Sequence, residues 1–97
     1  MRIIARSNLK EFWNIYKDAE QPLKTWFDLV KKADWDKPND VKQTFNSADI
    51  IPNNRIVFNI KGNNYRLIVQ INYRFKIVYI RFIGTHTEYN KIDVAIV

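Results

Sequence analysis

The sequence predicts a single compact α+β domain, in which an N-terminal strand and a two-helix hairpin pack on an antiparallel β-sheet meander. Apolar residues recur at helical spacing near the N-terminus. From Arg55 onward they alternate with polar residues, as strands do, and turn-forming residues separate the alternating segments. The chain has 97 residues, which is room for one domain, residues 1–97, and not for two.

The N-terminal third predicts one strand and two helices. Met1–Ala5 is short and apolar enough for a strand, and Ser7 or Asn8 offers an N-cap to the first helix. Glu20-Gln21-Pro22 is expected to end that helix, with Pro22 in the first turn of the second. The apolar residues of the two helices are Leu9, Phe12, Trp13 and Tyr16, then Leu23, Trp26, Phe27 and Val30. We expect an antiparallel hairpin whose tryptophans belong to the core rather than to a cofactor site.

The middle of the chain predicts little regular structure. Trp35–Asp40 is interpreted as a loop, and Asn39 or Asp40 can cap one short helical turn over Val41–Phe45. Residues 46–54, with Pro52 and two consecutive asparagines, indicate an irregular connection.

Three strands are predicted in the second half: Arg55–Lys61, Tyr65–Tyr73 and Ile77–Thr85. Gly62-Asn63-Asn64 suits a hairpin turn because Gly and Asn tolerate positive φ. Residues 74–76 form a second tight connection, and a short helix can follow Thr85.

Strand alternation divides these side chains between two sheet faces. One face is apolar and must be covered: Ile56, Phe58, Ile60, Tyr65, Leu67, Val69, Ile71, Val78, Ile80 and Phe82. The other face is expected to carry basic, amide and aromatic side chains along with a few aliphatic ones: Arg55, Val57, Asn59, Lys61, Arg66, Ile68, Gln70, Asn72, Ile77, Tyr79, Arg81, Ile83 and Thr85. Such a face suits single-stranded nucleic acid, because cations neutralise phosphates and aromatic rings stack on bases. An ordinary solvated face is the alternative.

Charge and composition narrow the possible functions. The net charge is +6, and residues 55–97 hold seven Lys or Arg against two acidic residues, which favours nucleic acid or an acidic protein as partner. Without cysteine, disulfides and thiolate metal sites are excluded, and no metal or other cofactor is expected. No membrane span or signal peptide is recognisable, so we expect a cytoplasmic protein.

The segment after the last strand carries the chain's only histidine, His86, followed by Glu88 and Tyr89. Histidine is the best available acid or base near neutral pH. RNA cleavage through the 2′-OH needs a base, an acid and cations but no metal, and His, Arg, Lys and Tyr side chains can supply these groups. A lone histidine is, however, more often structural than catalytic. Glu88 can instead cap the short helix or hold His86.

Residues 55–67, written RIVFNI and GNNYRL around Lys61, and residues 79–89, written YIRFIGTHTEY, resemble the HigB branch of the RelE-like bacterial toxins. The N-terminal half shares the layout and the segments Ala33–Trp35 and Lys37–Lys42. The resemblance implies a RelE-like fold and a ribosome-associated mRNA endonuclease that cleaves without metal. It further implies neutralisation by a helix-turn-helix, HigA-like antitoxin, with operator DNA bound only through the toxin–antitoxin complex.

Carried onto this sequence, the resemblance implies catalytic roles for four residues. His86 would be general base or acid, Arg66 and Arg81 would stabilise the phosphate, and Tyr89 would stack on or orient a base. The predicted RNA-binding residues are Lys61, Arg55, Gln70 and Tyr79. The family segment commonly ends in Tyr-Asp, whereas this chain has Tyr89-Asn90, so no carboxylate role is carried over to that position.

Two other functions remain open at this point. The same basic face could bind RNA without cutting it. Alternatively, it could only dock an acidic protein, which would give salt-sensitive protein binding and negligible affinity for RNA.

Overall fold

A computed structural model describes residues 1–97 and confirms the α+β class. Five strands form one mixed sheet in the order β1-β5-β4-β3-β2. The strands are β1 (Arg2–Ile4), β2 (Asp49–Ile51), β3 (Arg55–Ile60), β4 (Tyr65–Asn72) and β5 (Ile77–Thr85). The helices are α1 (Arg6–Ile15), α2 (Glu20–Lys32), α3 (Pro38–Thr44) and α4 (His86–Tyr89). β1 runs parallel to β5, and all other neighbours are antiparallel.

The predicted first strand and helix pair are present, but their limits differ. α1 begins at Arg6, so Ala5 occupies the N-cap position, and the predicted caps Ser7 and Asn8 lie inside the helix. α1 ends at Ile15, and a 3₁₀ turn over Lys17–Ala19 leads into α2. Glu20-Gln21-Pro22 therefore starts α2 instead of breaking α1, because proline in the first turn gives up an N–H that has no helical acceptor.

The middle segment is more regular than predicted. α3 spans Pro38–Thr44, so Asn39 and Asp40 lie within its first turn and do not cap it. The carboxylate of Asp40 accepts a hydrogen bond from the Asp36 backbone N–H at 2.9 Å. Residues 46–54 are not wholly irregular, because Asp49–Ile51 forms the edge strand β2. Three residues are too few to display strand periodicity, and pairing with β3 creates this strand.

The turn between β3 and β4 has the expected positive φ at Gly62, but the other positive φ angles of this turn and the next are at lysines and not at Asn63 or Asn64. In the turn between β3 and β4, Lys61 (51°) and Gly62 (62°) take the left-handed conformation. The first meander strand consequently ends at Ile60, and Lys61 belongs to the turn. The next turn ends with Lys76 at φ 59°.

The helices cover one face of the sheet, as the apolar pattern predicts. Trp13 and Trp26 are buried, with 5% and 2% of their surfaces exposed. The Trp26 and Phe58 rings lie 5.4 Å apart at 70°, and the Phe45 ring meets Phe58 at 5.0 Å and 74°. These edge-to-face contacts join helix α2 and the segment after α3 to strand β3.

A β-bulge at Arg81 changes the predicted faces of β5. Val69 pairs with Ile80 and Ile68 pairs with Phe82, so Arg81 is the extra residue. Beyond it the alternation is reversed. The expected position of Phe82 on the helix-covered face is wrong, as is that of Ile83 and Thr85 on the opposite face. Ile83 packs against the core, whereas Phe82 lies on the opposite face beside Ile68.

Candidate active site

The sheet face opposite the helices is called the arginine face here, and it is built from three cross-strand rows. The rows are Arg55–Gln70–Tyr79, Val57–Ile68–Phe82 and Asn59–Arg66–Gly84. Val57 and Ile68 are fully buried at its centre. The polar groups therefore divide into one cluster at Gln70 and Arg81 and another at Arg66 and α4.

In the first cluster, two guanidinium nitrogens of Arg81 donate to one oxygen of Gln70, and this contact is called the Gln70–Arg81 fork. Arg81 Nε and Nη2 donate hydrogen bonds to Gln70 Oε1 at 3.1 and 2.6 Å. The guanidinium also lies 5.4 Å from the centre of the Tyr79 ring. Three residues predicted to bind RNA or phosphate are thus in mutual contact. The bulge that frees Arg81 from strand pairing brings its side chain to this face.

At the second cluster, Arg66 contacts Tyr89. The guanidinium lies 5.6 Å from the ring centre, and Arg66 Nη1 donates to the Asn63 carbonyl at 2.9 Å. Gly84 lies beside Arg66 in the same row. The predicted phosphate-binding and base-stacking groups therefore meet where β5 passes into α4.

A capping box fixes α4 to the end of β5. The Glu88 N–H donates to Thr85 Oγ1 at 3.2 Å, and Glu88 Oε1 accepts from the Thr85 N–H at 2.8 Å. Of the two roles considered for Glu88, the structure shows the helix cap. The cap positions both His86 and Tyr89, because these residues form the two ends of the four-residue helix.

His86 is exposed and is held by two contacts. Its backbone N–H donates to the Asn64 carbonyl at 3.2 Å, and its Nδ1 lies 3.1 Å from Asn90 Nδ2. An amide nitrogen can only donate, so in this arrangement Nδ1 is the acceptor. Half a turn of the amide would present Oδ1 to a protonated Nδ1. The Asn90 amide can thus hold the imidazole whether Nδ1 accepts or donates.

Lys61 lies apart from these clusters. It was expected on the arginine face, but the turn directs it to Asp18 in the helical layer, where Nζ and Oδ2 are 2.8 Å apart. Asp18 also accepts a hydrogen bond from the Tyr65 hydroxyl. Hydrogen bonds from Lys61 and Tyr65 lower the pKa of Asp18. The bond to Asp18, with burial, raises the pKa of Tyr65 to about 12.

Arg55 is occupied by the chain's own C-terminal segment. Its Nε and Nη2 donate to the Val97 carbonyl at 3.1 and 2.9 Å, and Asn53 Nδ2 donates to the Ala95 carbonyl at 3.0 Å. Residues 91–97 lie in turns and a bend. The Arg55 side chain lies in the same row as Gln70 but is engaged differently from Arg81.

No arginine of the molecule forms an ion pair with an aspartate or glutamate side chain. The ion pairs involve only Lys24, Lys61 and Lys76. Arg66, Arg74 and Arg81 therefore carry positive charge that no acidic side chain neutralises, which suits the binding of phosphate groups. The structure has no cluster of three or more His, Asp or Glu side chains that could hold a metal ion. None of its helices is long and apolar enough to cross a membrane.

Sequence reasoning missed several residues near the Gln70–Arg81 cluster. Asn54, Asn72 and Arg74 line a cavity beside it, together with Tyr79. Asn54 and Arg74 lie in turns, where alternation assigns no face, and Asn72 is the last residue of its strand. Alternation placed Asn72 on the same face as Gln70, but it was not among the predicted binding residues.

Comparison with known proteins defines the class of protein. Residues 19–92 match a family model described as the RelE-like toxic component of a toxin–antitoxin system. The chain belongs to this family, the HigB toxins. Membership confirms the predicted resemblance and implies a cognate antitoxin as partner.

Curated relatives support this assignment across nearly the whole chain. An Escherichia coli protein named mRNA interferase HigB is 28% identical over 94 residues, which cover 95% of this chain and 91% of the relative. A protein named mRNA interferase toxin HigB, from another Escherichia coli strain, is 28% identical over 92 residues, covering 93% and 88%. A Shigella flexneri protein named mRNA interferase HigB matches to the same extent.

Proposed function

We propose that this chain is an mRNA endoribonuclease that inhibits translation by cutting mRNA on the ribosome. The observation that carries the proposal is the pair of carboxylate-free arginines, Arg66 and Arg81, on the same sheet face as a helix bearing His86 and Tyr89. The relatives named mRNA interferase support the same activity. The whole chain, residues 1–97, would form one toxin domain acting in the cytoplasm.

The proposed reaction is an internal displacement at a phosphate. A base removes the proton of the 2′-OH, the 2′-oxygen attacks phosphorus, and the 5′-oxygen leaves with a proton from an acid. The products are a 2′,3′-cyclic phosphate and a free 5′-OH. His86 would serve as base or acid, and the Asn90 amide would orient its ring in either state.

Arg66 and Arg81 would stabilise the negative charge that accumulates on the phosphate during attack. Guanidinium groups suit this role because their planar N–H donors match phosphate oxygens and remain charged. The Tyr89 ring, contacted by Arg66, would stack on a base next to the cut. No metal is required in this scheme.

The other predicted RNA-binding residues would extend the RNA path. Gln70 and Tyr79 already lie beside Arg81. Lys61 and Arg55 would first have to exchange their partners Asp18 and Val97 for phosphate. The Lys61–Asp18 pair is well exposed to solvent, so its exchange costs little. The cognate antitoxin would be a helix-turn-helix, HigA-like protein, and operator DNA would be bound only by the toxin–antitoxin complex.

The test is induced expression of the wild type beside His86→Ala and Arg81→Ala, with mapping of mRNA 5′ ends and growth. We expect new in-frame ends and growth arrest in the wild type. Cleavage by purified protein with ribosomes should fall about 10²–10⁴-fold in His86→Ala, the usual contribution of acid–base catalysis. Lys10→Ala, on the exposed side of α1, is the control for loss of one positive charge. Intact mRNA in wild-type cells would refute the nuclease activity.

Binding of RNA without cleavage is the second candidate, because the unpaired arginines and the aromatic rings would serve that function equally well. His86→Ala separates the two. A nuclease loses cleavage in this variant but keeps its affinity for ribosome-bound mRNA. A binding protein shows no cleavage in the wild type and the same affinity in both.

A further inference from the structure

A cavity of about 520 Å³ opens beside the Gln70–Arg81 fork. Its polar and aromatic lining consists of Asn54, Gln70, Asn72, Tyr73, Arg74, Tyr79 and Arg81. No aspartate or glutamate contributes to it. None of the roles proposed above requires this cavity as a whole.

Two of the lining amides have fixed orientations. Arg81 donates twice to Gln70 Oε1, so the Gln70 oxygen is used and its NH₂ group is left free. The Phe75 backbone N–H donates to Asn72 Oδ1 at 3.0 Å, which leaves the Asn72 NH₂ group free in the same way. Neither NH₂ group has an acceptor in the structure. Both amides therefore offer donors to a ligand rather than acceptors.

The cations of the cavity add further donors. Arg74 is exposed, lies 5.3 Å from the Phe75 ring centre and has neither a carboxylate partner nor a hydrogen-bond acceptor. Arg81 lies over the Tyr79 ring at 5.4 Å. A ligand for this cavity must consequently bring several acceptors and a flat surface that can pack on Tyr79.

We propose that this cavity is a subsite for one RNA base and that it prefers guanine or uracil. Guanine presents two adjacent acceptors, O6 and N7, and uracil presents O4, which corresponds to the thymine oxygen. Adenine and cytosine present an amino donor at the equivalent positions, which would face the NH₂ groups of Gln70 and Asn72. This subsite rests on the proposed function, because it assumes that RNA lies along the arginine face.

The subsite is separated from the place of cleavage. Gln70 is four residues along β4 from Arg66, which is about 13 Å at the usual rise of a strand. A nucleotide in the cavity is therefore not the one that is cut beside His86. Arg81 belongs to both sites and couples base binding to the phosphate.

The experiment measures base frequencies around the mapped cleavage sites. Asn72→Asp keeps an acceptor for the Phe75 N–H but replaces the free NH₂ with an oxygen, and Arg74→Ala removes the cation. Asn39→Asp and Lys10→Ala make the same charge changes on helices away from the arginine face. In the wild type we expect guanine or uracil to be enriched at one fixed distance from the cut. Asn72→Asp should reduce that enrichment about fivefold or more, with other positions and both controls unchanged.

A binding measurement keeps the subsite testable if the wild type does not cleave RNA. His86→Ala protein is titrated with short oligoadenylates carrying a single guanine or uracil, and with ones carrying cytosine or no substitution. NMR shifts of the Gln70 and Asn72 side-chain amides report the cavity. Tighter binding of the guanine and uracil oligonucleotides, abolished by Asn72→Asp, supports the subsite even without nuclease activity. Equal binding of all four, or a base preference that Asn72→Asp and Arg74→Ala leave intact, overturns it.

Discussion

The two faces of the sheet differ although the same strands build both. On the helix-covered face, residues such as Phe58 and Leu67 are almost completely buried and hold the helices to the sheet. On the arginine face, the neighbours of these residues in sequence include Asn59 and Arg66, which remain accessible. Adjacent positions in one strand therefore have different roles. Substitutions on the helix-covered face should lower the stability of the fold, and those on the arginine face should reduce RNA cleavage.

The arginine face is not uniformly polar, so the two faces do not differ at every position. Val57 and Ile68 are fully buried in its middle row, next to Phe82. This apolar row separates the Arg66–Tyr89 contact from the Gln70–Arg81 fork. The face thus presents two polar clusters on a rigid apolar support, which keeps the proposed catalytic and base-binding groups at a fixed spacing.

The largest expected effect comes from breaking the helix-covered face. Phe58 is 2% exposed and contacts the rings of Trp26 and Phe45. Phe58→Ala should lower the free energy of unfolding by about 3–5 kcal/mol, because it leaves a cavity where three elements meet. Denaturant unfolding of the purified protein measures this. Phe75→Ala, at an exposed ring in the turn before β5, is the control and should change stability by less than about 0.5 kcal/mol. Equal effects of the two would contradict the assignment of Phe58 to the core.

A smaller effect is expected at Gly84, which lies beside Arg66 on the arginine face and directly precedes the N-cap of α4. A Cβ at this position would overlap the Phe82 ring and approach Glu88 Oε1 within 3.2 Å. Gly84→Ala should destabilise the protein by about 1–3 kcal/mol, as overpacking does. It should also reduce cleavage beyond the loss of folded protein, because Glu88 caps the helix that carries His86.

The Gly84 prediction is checked by unfolding measurements and by cleavage assays at equal concentrations of folded protein. Thr87→Ala, at an exposed position of the same helix, should leave both nearly unchanged. Gly84→Ala protein with wild-type stability and full activity would show that Phe82 moves aside freely and that the contact is unimportant.

The smallest effect is expected at Asp18 in the helical layer, which accepts hydrogen bonds from Lys61 and Tyr65. The pKa of Asp18 is lowered in the folded state, so its ionised form stabilises the fold above the ordinary pKa of 3.8. This stabilisation is lost as the pH falls through the lower, folded-state pKa. Asp18→Asn should therefore reduce the melting temperature by a few degrees near neutral pH and by progressively less below pH 3.8.

Thermal unfolding across this pH range tests the Asp18 prediction, with Asp28→Asn at an exposed, unpaired position of α2 as the control. A deficit that persists unchanged in acid would mean that the Asp18→Asn substitution harms packing rather than the ion pair.

Local patterns in the sequence predicted most of the fold but not its interruptions. Alternation placed Phe58, Leu67 and Ile80 in the core and Arg66 and Gln70 opposite them, and the structure confirms this. It failed after Arg81, because a bulge depends on pairing with β4 and leaves no mark in the strand itself. It also failed for β2, which is too short to show a period.

The sequence also predicted one part of the candidate site and missed another. Arg66, Arg81, Gln70, Tyr79 and Tyr89 were selected from the sequence, and the structure brings them into contacts as expected of neighbours. Their roles in catalysis and binding remain predictions. The partners of Lys61 and Arg55 could not be foreseen, because Asp18 and Val97 are 43 and 42 residues away along the chain. Nor could the free NH₂ groups of Gln70 and Asn72 be foreseen, because they depend on the donors that occupy the two amide oxygens.

The position of β5 has a consequence for the order in which the molecule is assembled. It is the last strand in sequence yet lies between β1 and β4, and residues 2–4 pair with residues 77–79. Such long sequence separation delays folding until both segments are present. A growing chain that lacks β5 has no neighbour for β1 and no Arg81 for Gln70, and it also lacks α4. Completion of the sheet and formation of the candidate site are then the same late event in synthesis, so a partly made chain would lack the candidate site.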